Sequence, residues 1–246
     1  MSTLSGKTAV VTGSSKGIGA AIAQKLAKEG AKVIVNYNGN QAAANAVVET
    51  ILVNGGEAFA VQADVSRKEG VIRLFDEAIA QFGQVDTWVN NAGVMLNAMI
   101  KDLTQEQFEK SIDINFKGVF YSLQQAATKL ADNGSIINLS STVTRTIFPT
   151  YGIYSATKAA VEQLSRVFAK EIGPRGINVN CVLPGPIATD LFLTGKSEEL
   201  IAQIASTNAF KRLGTPEEIA QVVTFLASDE AKWISGQSIG ANGGMA

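Results

Sequence analysis

The chain has 246 residues, with 21 Lys and Arg against 22 Asp and Glu, no histidine and one cysteine. The near-balanced charge offers no basic footprint for nucleic acid or an anionic membrane surface. Zero histidines and a solitary Cys181 exclude Ser-His-Asp and Cys-His catalysis, histidine- or thiolate-built metal sites and an intrachain disulfide. Acid–base chemistry is left to Tyr, Lys, Asp and Glu, no metal is expected, and Cys181, inside the apolar run "INVNCVLPG", reads as a small core residue.

No apolar stretch of signal-peptide length opens the chain, and no run approaches the roughly 18 apolar residues of a membrane span. A soluble, cytoplasmic protein is therefore expected. With no linker, repeat or low-complexity tract, residues 1–246 read as a single domain.

The first apolar run, "KTAVVTG", leads through "TGSSKGIG" into a helix marked by Ile18, Ile22 and Leu26. Gly13, Gly17 and Gly19 would bring the backbone of this turn, with Ser15, Lys16 and Ile18, close to a pyrophosphate at the helix N-terminus; a tight turn without a ligand is the alternative. The second run, "AKVIVNY", ends at Asn36, Tyr37 and Asn38, and a helix follows over 41–54. The third, "EAFAVQAD", closes on Asp64 and Val65, where the carboxylate either accepts from an adenine amino group or caps the helix over 68–82. The fourth ends in "NNAG", where Asn91, Ala92 and Gly93 leave room for a flat cofactor.

A long helix is predicted over 105–130, with Phe108, Ile112, Asn115, Val119, Ala126 and Leu130 on one stripe, so that one amide faces the core. A buried amide needs partners, structural or catalytic. The fifth strand ends at Ser141, 13 positions before Tyr154. The next helix, 151–172, carries Tyr154, Lys158, Val161, Ser165, Phe168 and Ile172 on one face, and a buried ammonium there calls for something to hold it. After "INVNCVLPG" comes "PGPIATD", then a segment over about 190–212 that reads as a helical lid, a helix over 216–227 and a last strand in "SGQSIGANGG". Continuous apolar strands alternating with helices give a doubly wound parallel α/β sheet, whose ligands bind at the carboxyl ends of the strands.

"TGSSKGIG", Asp64, "NNAG", Asn115, Ser141, "YSATK" and "PGPIATD", in this order, resemble the short-chain dehydrogenase/reductase family over essentially the whole chain. The resemblance implies a Rossmann sheet of about seven strands and a catalytic tetrad of Asn115, Ser141, Tyr154 and Lys158. On that reading Tyr154 is the proton donor or acceptor, with its pKa lowered by the Lys158 ammonium together with the nicotinamide charge. Ser141 holds the substrate oxygen, Asn115 binds a water linking Lys158 to solvent, and Pro184, Gly185, Ile187 and Thr189 contact the nicotinamide end.

NAD-preferring relatives close the second strand with an acid; this strand closes on Asn36, Tyr37 and Asn38, and Lys16 adds a cation, so NADP(H) is the expected cofactor. Met95, Leu96, Val143, Ile147, Phe148, Leu191 and Phe192 are the candidate substrate-pocket residues. A ketone is the expected substrate. The alternative is a 3-oxoacyl-[acyl-carrier-protein] reductase; less favoured are a non-catalytic dinucleotide sensor and an epimerase or dehydratase. Carrier reductases present basic residues just before the serine-bearing strand, whereas Asp132 and Asn133 stand here, with Arg175 and Lys129 as nearby cations and Arg145 reading as a solvated loop residue. The small, uncharged face Gly152, Ala156, Ala160, Gln163 and Val167, with Phe116 and Phe120, matches the family's two-fold contact and implies a homotetramer.

Overall fold

Short strands rich in Val and Ile and buried on both faces have to lie between two helical layers, while strands at the sheet edges stay partly open. In the computed structural model, which describes residues 3–246, they do. Met1 and Ser2, at the head of the stretch read for a leader, lie outside the described residues. The strands β1 (Thr8–Val11), β2 (Lys32–Tyr37), β3 (Glu57–Gln62), β4 (Thr87–Asn90), β5 (Ser135–Leu139), β6 (Asn178–Pro184) and β7 (Ser238–Ala241) form one parallel sheet in the order β3-β2-β1-β4-β5-β6-β7. The helices are α1 (Gly17–Lys28), α2 (Gln41–Val53), α3 (Lys68–Phe82), α4 (Gln105–Ile112), α5 (Gly118–Lys129), α6 (Gly152–Ile172), α7 (Asp190–Leu193), α8 (Glu198–Ala205) and α9 (Pro216–Ala227).

Successive strand residues point to opposite faces, so each strand feeds two cores. Val11, Val35, Val89, Ile137 and Val182 pack under α1, α2 and α9. Val10, Ile34, Trp88, Ile136 and Val179 pack under α3, α5 and α6, where Phe75 stacks on Trp88 with ring centroids 3.9 Å apart. The chain winds outward from β1 to β3 and then returns to β4 on the other side of β1. That reversal opens a crevice between the carboxyl ends of β1 and β4.

The single helix expected over 105–130 is interrupted. Residues Asp113–Lys117 form a π-helical turn between α4 and α5, and its extra residue changes the helical phase. Asn115, Val119, Ala126 and Leu130 are buried as the stripe requires, but upstream of the turn Ser111 is buried and Phe108 is exposed. The insertion rotates α4 relative to the periodicity read from α5.

Candidate active site

A cavity of about 1280 Å³ lies over the carboxyl ends of the strands. At its β1 end the turn into α1 depends on glycine. Gly13 has φ +61°, and a Cβ there would sit 2.9 Å from the Ala92 Cα; one on Gly19 would sit 2.4 Å from the Asn91 amide nitrogen. This close fit is locked by Thr12, whose hydroxyl accepts from the backbone N–H groups of Asn91 and Ala92 at 2.9 and 3.0 Å. The Asn91 amide donates back to the Thr12 and Gly13 carbonyls. Helix α1 starts at Lys16 with no side-chain cap and no acid in its first turn. Gly17, Ile18 and Gly19 line the cavity there, so the unsatisfied N–H groups of a helix N-terminus are available to an anion.

Gly13, Ser15, Lys16, Asn38, Asp64, Val65, Asn91, Ala92 and Gly93 share this part of the cavity. Asn36 reaches its wall, but its amide is spent on structure. It accepts from Gly13 N at 3.0 Å and donates to the carbonyls of Tyr37, Val61 and Ala63. Tyr37 does not belong with the cavity residues: alternation along β2 turns its ring into the core under α1 and α2. Asp64 closes the turn before α3 by accepting from the Ser66 backbone and hydroxyl through one oxygen, leaving the helix itself without a side-chain cap, while still bordering the cavity.

Further along, the exits of β5 and α6 bring Ser141, Tyr154 and Lys158 to the same wall. Ser141 caps a short 3₁₀ turn, Thr142–Thr144, and Tyr154 and Lys158 stand one helical turn apart on α6. Burial pushes the Tyr154 phenol up to about 12, with a hydrogen bond to Ser141 pulling the other way. That upward push belongs to the protein's own groups; the expected lowering also draws on the positive charge of a bound nicotinamide. The Lys158 ammonium lies 5.8 Å from the Tyr154 ring centroid and donates to the Leu139 carbonyl at 2.6 Å. Burial pushes Lys158 itself down to about 8. A phenol that keeps its proton at neutral pH, a hydroxyl bonded to it and an ammonium of reduced proton affinity can together deliver a proton to a bound oxygen.

Asn115, at the π turn, is fully buried. Its oxygen accepts from Val94 N at 2.8 Å, and its amide nitrogen donates to the Val94 carbonyl at 2.9 Å and to the Thr157 hydroxyl at 3.3 Å. Both amide hydrogens are thus engaged, which leaves only acceptor capacity for a water. The side chain pins the chain after β4 to α6, and a Cβ on Gly93 would lie 3.2 Å from its oxygen and 3.6 Å from Lys158 Nζ.

At the mouth, Pro184, Gly185, Ile187 and Thr189 line the cavity, as do Met95, Val143, Phe148, Leu191 and Phe192. Leu96 and Ile147 do not. Ile147 is 98% exposed on the loop before α6, and Leu96 is partly buried outside the cavity wall. Helices α7 and α8 occupy most of the 190–212 segment and present Leu200, Gln203 and Ile204 to the cavity.

Sequence reasoning missed Glu162. It is buried one turn beyond Lys158, accepts from Ser140 Oγ at 2.8 Å and pairs with Arg145 at 3.0 Å, so Arg145 is not a free loop cation. An i,i+4 step from Lys158 was the signal available. Cys181 is a core residue as expected, with its thiol pushed up to about 11 by burial. Among the described residues no His/Cys/Asp/Glu cluster suited to a metal is found, and no helix is long and apolar enough to cross a membrane.

A family model described as enoyl-(acyl carrier protein) reductase matches residues 13–246. An uncharacterized oxidoreductase of Methylorubrum extorquens is 48% identical, with all of both chains covered. A 3-oxoacyl-[acyl-carrier-protein] reductase of Staphylococcus epidermidis is 43% identical over 97% of this chain and 98% of that protein. Among solved structures, a short-chain dehydrogenase/reductase from Serratia marcescens superposes with a TM-score of 0.95 at 35% identity, covering 99% of each chain. The angucycline C-6 ketoreductase LanV with bound NADP superposes at 0.94 and 38% identity, over 99% of this chain and 96% of that one. Likeness of this extent in both sequence and sheet order means that the chain belongs to the short-chain dehydrogenase/reductase family of oxidoreductases.

Proposed function

We propose that this protein reduces a ketone to a secondary alcohol, reversibly, with NADP(H) as its redox partner. The observation that carries the reading is the meeting of Ser141, Tyr154 and Lys158 on the wall of one cavity whose other end is an uncapped helix N-terminus. The bound nicotinamide supplies the hydride. For that cofactor, the backbone around Gly13, Ser15, Gly17, Ile18 and Gly19 takes the pyrophosphate, and Asp64 and Val65 take the adenine. Asn91, Ala92 and Gly93 let the middle of the molecule lie close to the sheet. Lys16 and Asn38 serve the adenosine 2′-phosphate, and no acid closes β2 to repel it. Lys158 holds the nicotinamide ribose, and Pro184, Gly185, Ile187 and Thr189 steady the carboxamide end.

During reduction Tyr154 donates its phenolic proton to the carbonyl oxygen, which Ser141 holds by hydrogen bond as charge develops on it. Asn115 fixes the chain after β4 against α6, so that cofactor and phenol keep one distance. The lid over 190–212 closes the mouth, with Met95, Val143, Phe148, Leu191 and Phe192 giving the substrate an apolar seat. Incubating the protein with NADPH and a panel of aryl and alkyl ketones, and following loss of the reduced-nicotinamide absorbance, tests this reading. No consumption with any carbonyl would end it.

The 43% identity to a 3-oxoacyl-[acyl-carrier-protein] reductase supports a second reading, in which the ketone arrives on an acidic carrier protein. The surface cations favour free ketones instead. Lys129 is paired with Asp76, and Arg175 pairs with Asp132 at 2.7 Å while capping α5 through the carbonyls of Ala127 and Leu130. Cations already neutralised attract an anionic partner weakly. A kcat/KM far higher for an acetoacetyl-carrier substrate than for simple ketones, and lost at high salt, would select the carrier reading. We also place the protein in solution as a homotetramer, with the exposed Val167 and Phe120 at the α5–α6 face meeting a second copy.

A further inference from the structure

Ser141 sits on a short irregular segment, yet it has to keep a hydrogen-bond geometry with Tyr154 on a different element. On the β6 side, Ser140 N donates to the Val182 carbonyl at 2.8 Å and the Thr142 hydroxyl donates to the Leu183 carbonyl at 3.1 Å, while Arg145 N closes the 3₁₀ turn on the Thr142 carbonyl at 2.8 Å. These bonds fix the segment to β6 and to itself. The α6 side is served by Ser155, whose hydroxyl donates to the Val143 carbonyl at 3.1 Å, and by the carboxylate of Glu162.

We propose that Glu162 is a positioning residue, clamping both ends of segment 140–145 onto α6 so that Ser141 is presented to Tyr154. Its two oxygens are divided between the two ends. Oε1 accepts from Ser140 Oγ at 2.8 Å, on the residue before Ser141, and Oε2 accepts from the Arg145 guanidinium at 3.0 Å, where the segment leaves the 3₁₀ turn. Ser140 Oγ also lies 3.3 Å from the Lys158 carbonyl, which brings the clamp to the turn of α6 that carries Lys158. Glu162 and Ser140 are buried, while the Arg145 side chain is 44% exposed. A carboxylate is costly to bury unless paired, so its presence here requires both partners in place. Glu162, Ser140 Oγ and the guanidinium complete one another's hydrogen bonding and leave Ser141 free to point into the cavity. A displacement of about 1 Å in a catalytic group can cost about a hundredfold in rate, and among the described residues Glu162 is the side chain that bonds both Ser140 and Arg145.

This inference rests on the proposed carbonyl reduction, and the test separates the two. Arg145→Ala, Arg145→Lys, Glu162→Gln and the double variant Arg145→Ala with Glu162→Gln are compared in ketone reduction with saturating NADPH, alongside amide hydrogen exchange of the wild type and each variant. Arg145→Ala should lower kcat about tenfold or more while the KM for NADPH stays within about twofold, and Arg145→Lys should recover most of the loss. The double variant should be no slower than the worse single one, since both break the same clamp. Exchange should quicken at amides 141–146 in Arg145→Ala and remain slow in the second half of α6. A kcat close to wild type in Arg145→Ala, or losses that multiply in the double variant, would overturn the clamp. If the wild type reduced no carbonyl at all, the functional reading would fall, and hydrogen exchange would still decide whether segment 140–145 is held by Glu162. Unchanged exchange in Arg145→Ala would then reject it.

Discussion

Replacing Lys158 by Met should make the protein more resistant to unfolding at neutral pH than the wild type, and inactive. Burial depresses Lys158 from 10.5 to about 8, so between those values the unfolded chain binds a proton that the folded protein does not. Stability contributed by this residue therefore rises with pH across that window, and below about pH 8 the buried ammonium imposes its full cost. At about 1.4 kcal/mol per tenfold in proton affinity, the cost is about 3 kcal/mol. Methionine fills a similar volume without a charge, and its loss of the hydrogen bond to the Leu139 carbonyl is the same at every pH. The advantage of Lys158→Met over wild type should thus shrink by about 2–3 kcal/mol between about pH 7 and pH 10, a narrowing of roughly 5–10 °C in melting temperature for a chain of this size. Denaturant and thermal melts of both proteins across that range measure it directly, because titrating groups not coupled to Lys158 cancel in the difference. An advantage that does not vary with pH would refute the claim that a charged lysine is buried here.

Lys16→Ala should raise the KM for NADPH by about tenfold, the scale of one charged contact to the 2′-phosphate, and leave that for NADH nearly unchanged; equal effects would remove Lys16 from the phosphate site. Gly13→Ala should abolish cofactor binding and lower stability, since its Cβ would meet the Ala92 Cα at 2.9 Å in a left-handed backbone conformation; isothermal titration with NADP reads the first and a melt the second. Light scattering at micromolar concentration should give four chain masses, and a monomeric mass would contradict the α5–α6 contact.

The sheet was legible because its strands are continuous apolar runs of a kind that only a two-sided parallel sheet buries, and the glycines at 13, 17 and 19 marked the turn that begins α1. Ser141, Tyr154 and Lys158 were legible as a set through the resemblance of their motifs to the family, to which the one-turn spacing of Tyr154 and Lys158 adds that both share a helix face. Four things were not. The π turn at Asp113–Lys117 leaves no sequence signal in a stripe read at 100° per residue, so Phe108 was misplaced. Tyr37 was assigned to the cofactor from its place at the end of β2, although the alternation of a strand sends adjacent side chains to opposite faces. Arg145 and Glu162 lie 17 positions apart, and their pairing needs the loop after β5 to fold back on α6, which is tertiary information. Ile147 points outward for the same reason: periodicity does not reach into that loop.

If Tyr154 transfers the proton in an NADPH-dependent carbonyl reduction, Tyr154→Phe should remove that step and little else. The substitution removes one oxygen from a packed helix. The variant should keep the melting temperature of the wild type to within a few degrees and its affinity for NADPH, measured by nicotinamide fluorescence, to within about twofold, while kcat for ketone reduction falls by about two orders of magnitude or more. Near-normal kcat in a folded, NADPH-binding Phe variant would contradict the account and require another proton donor.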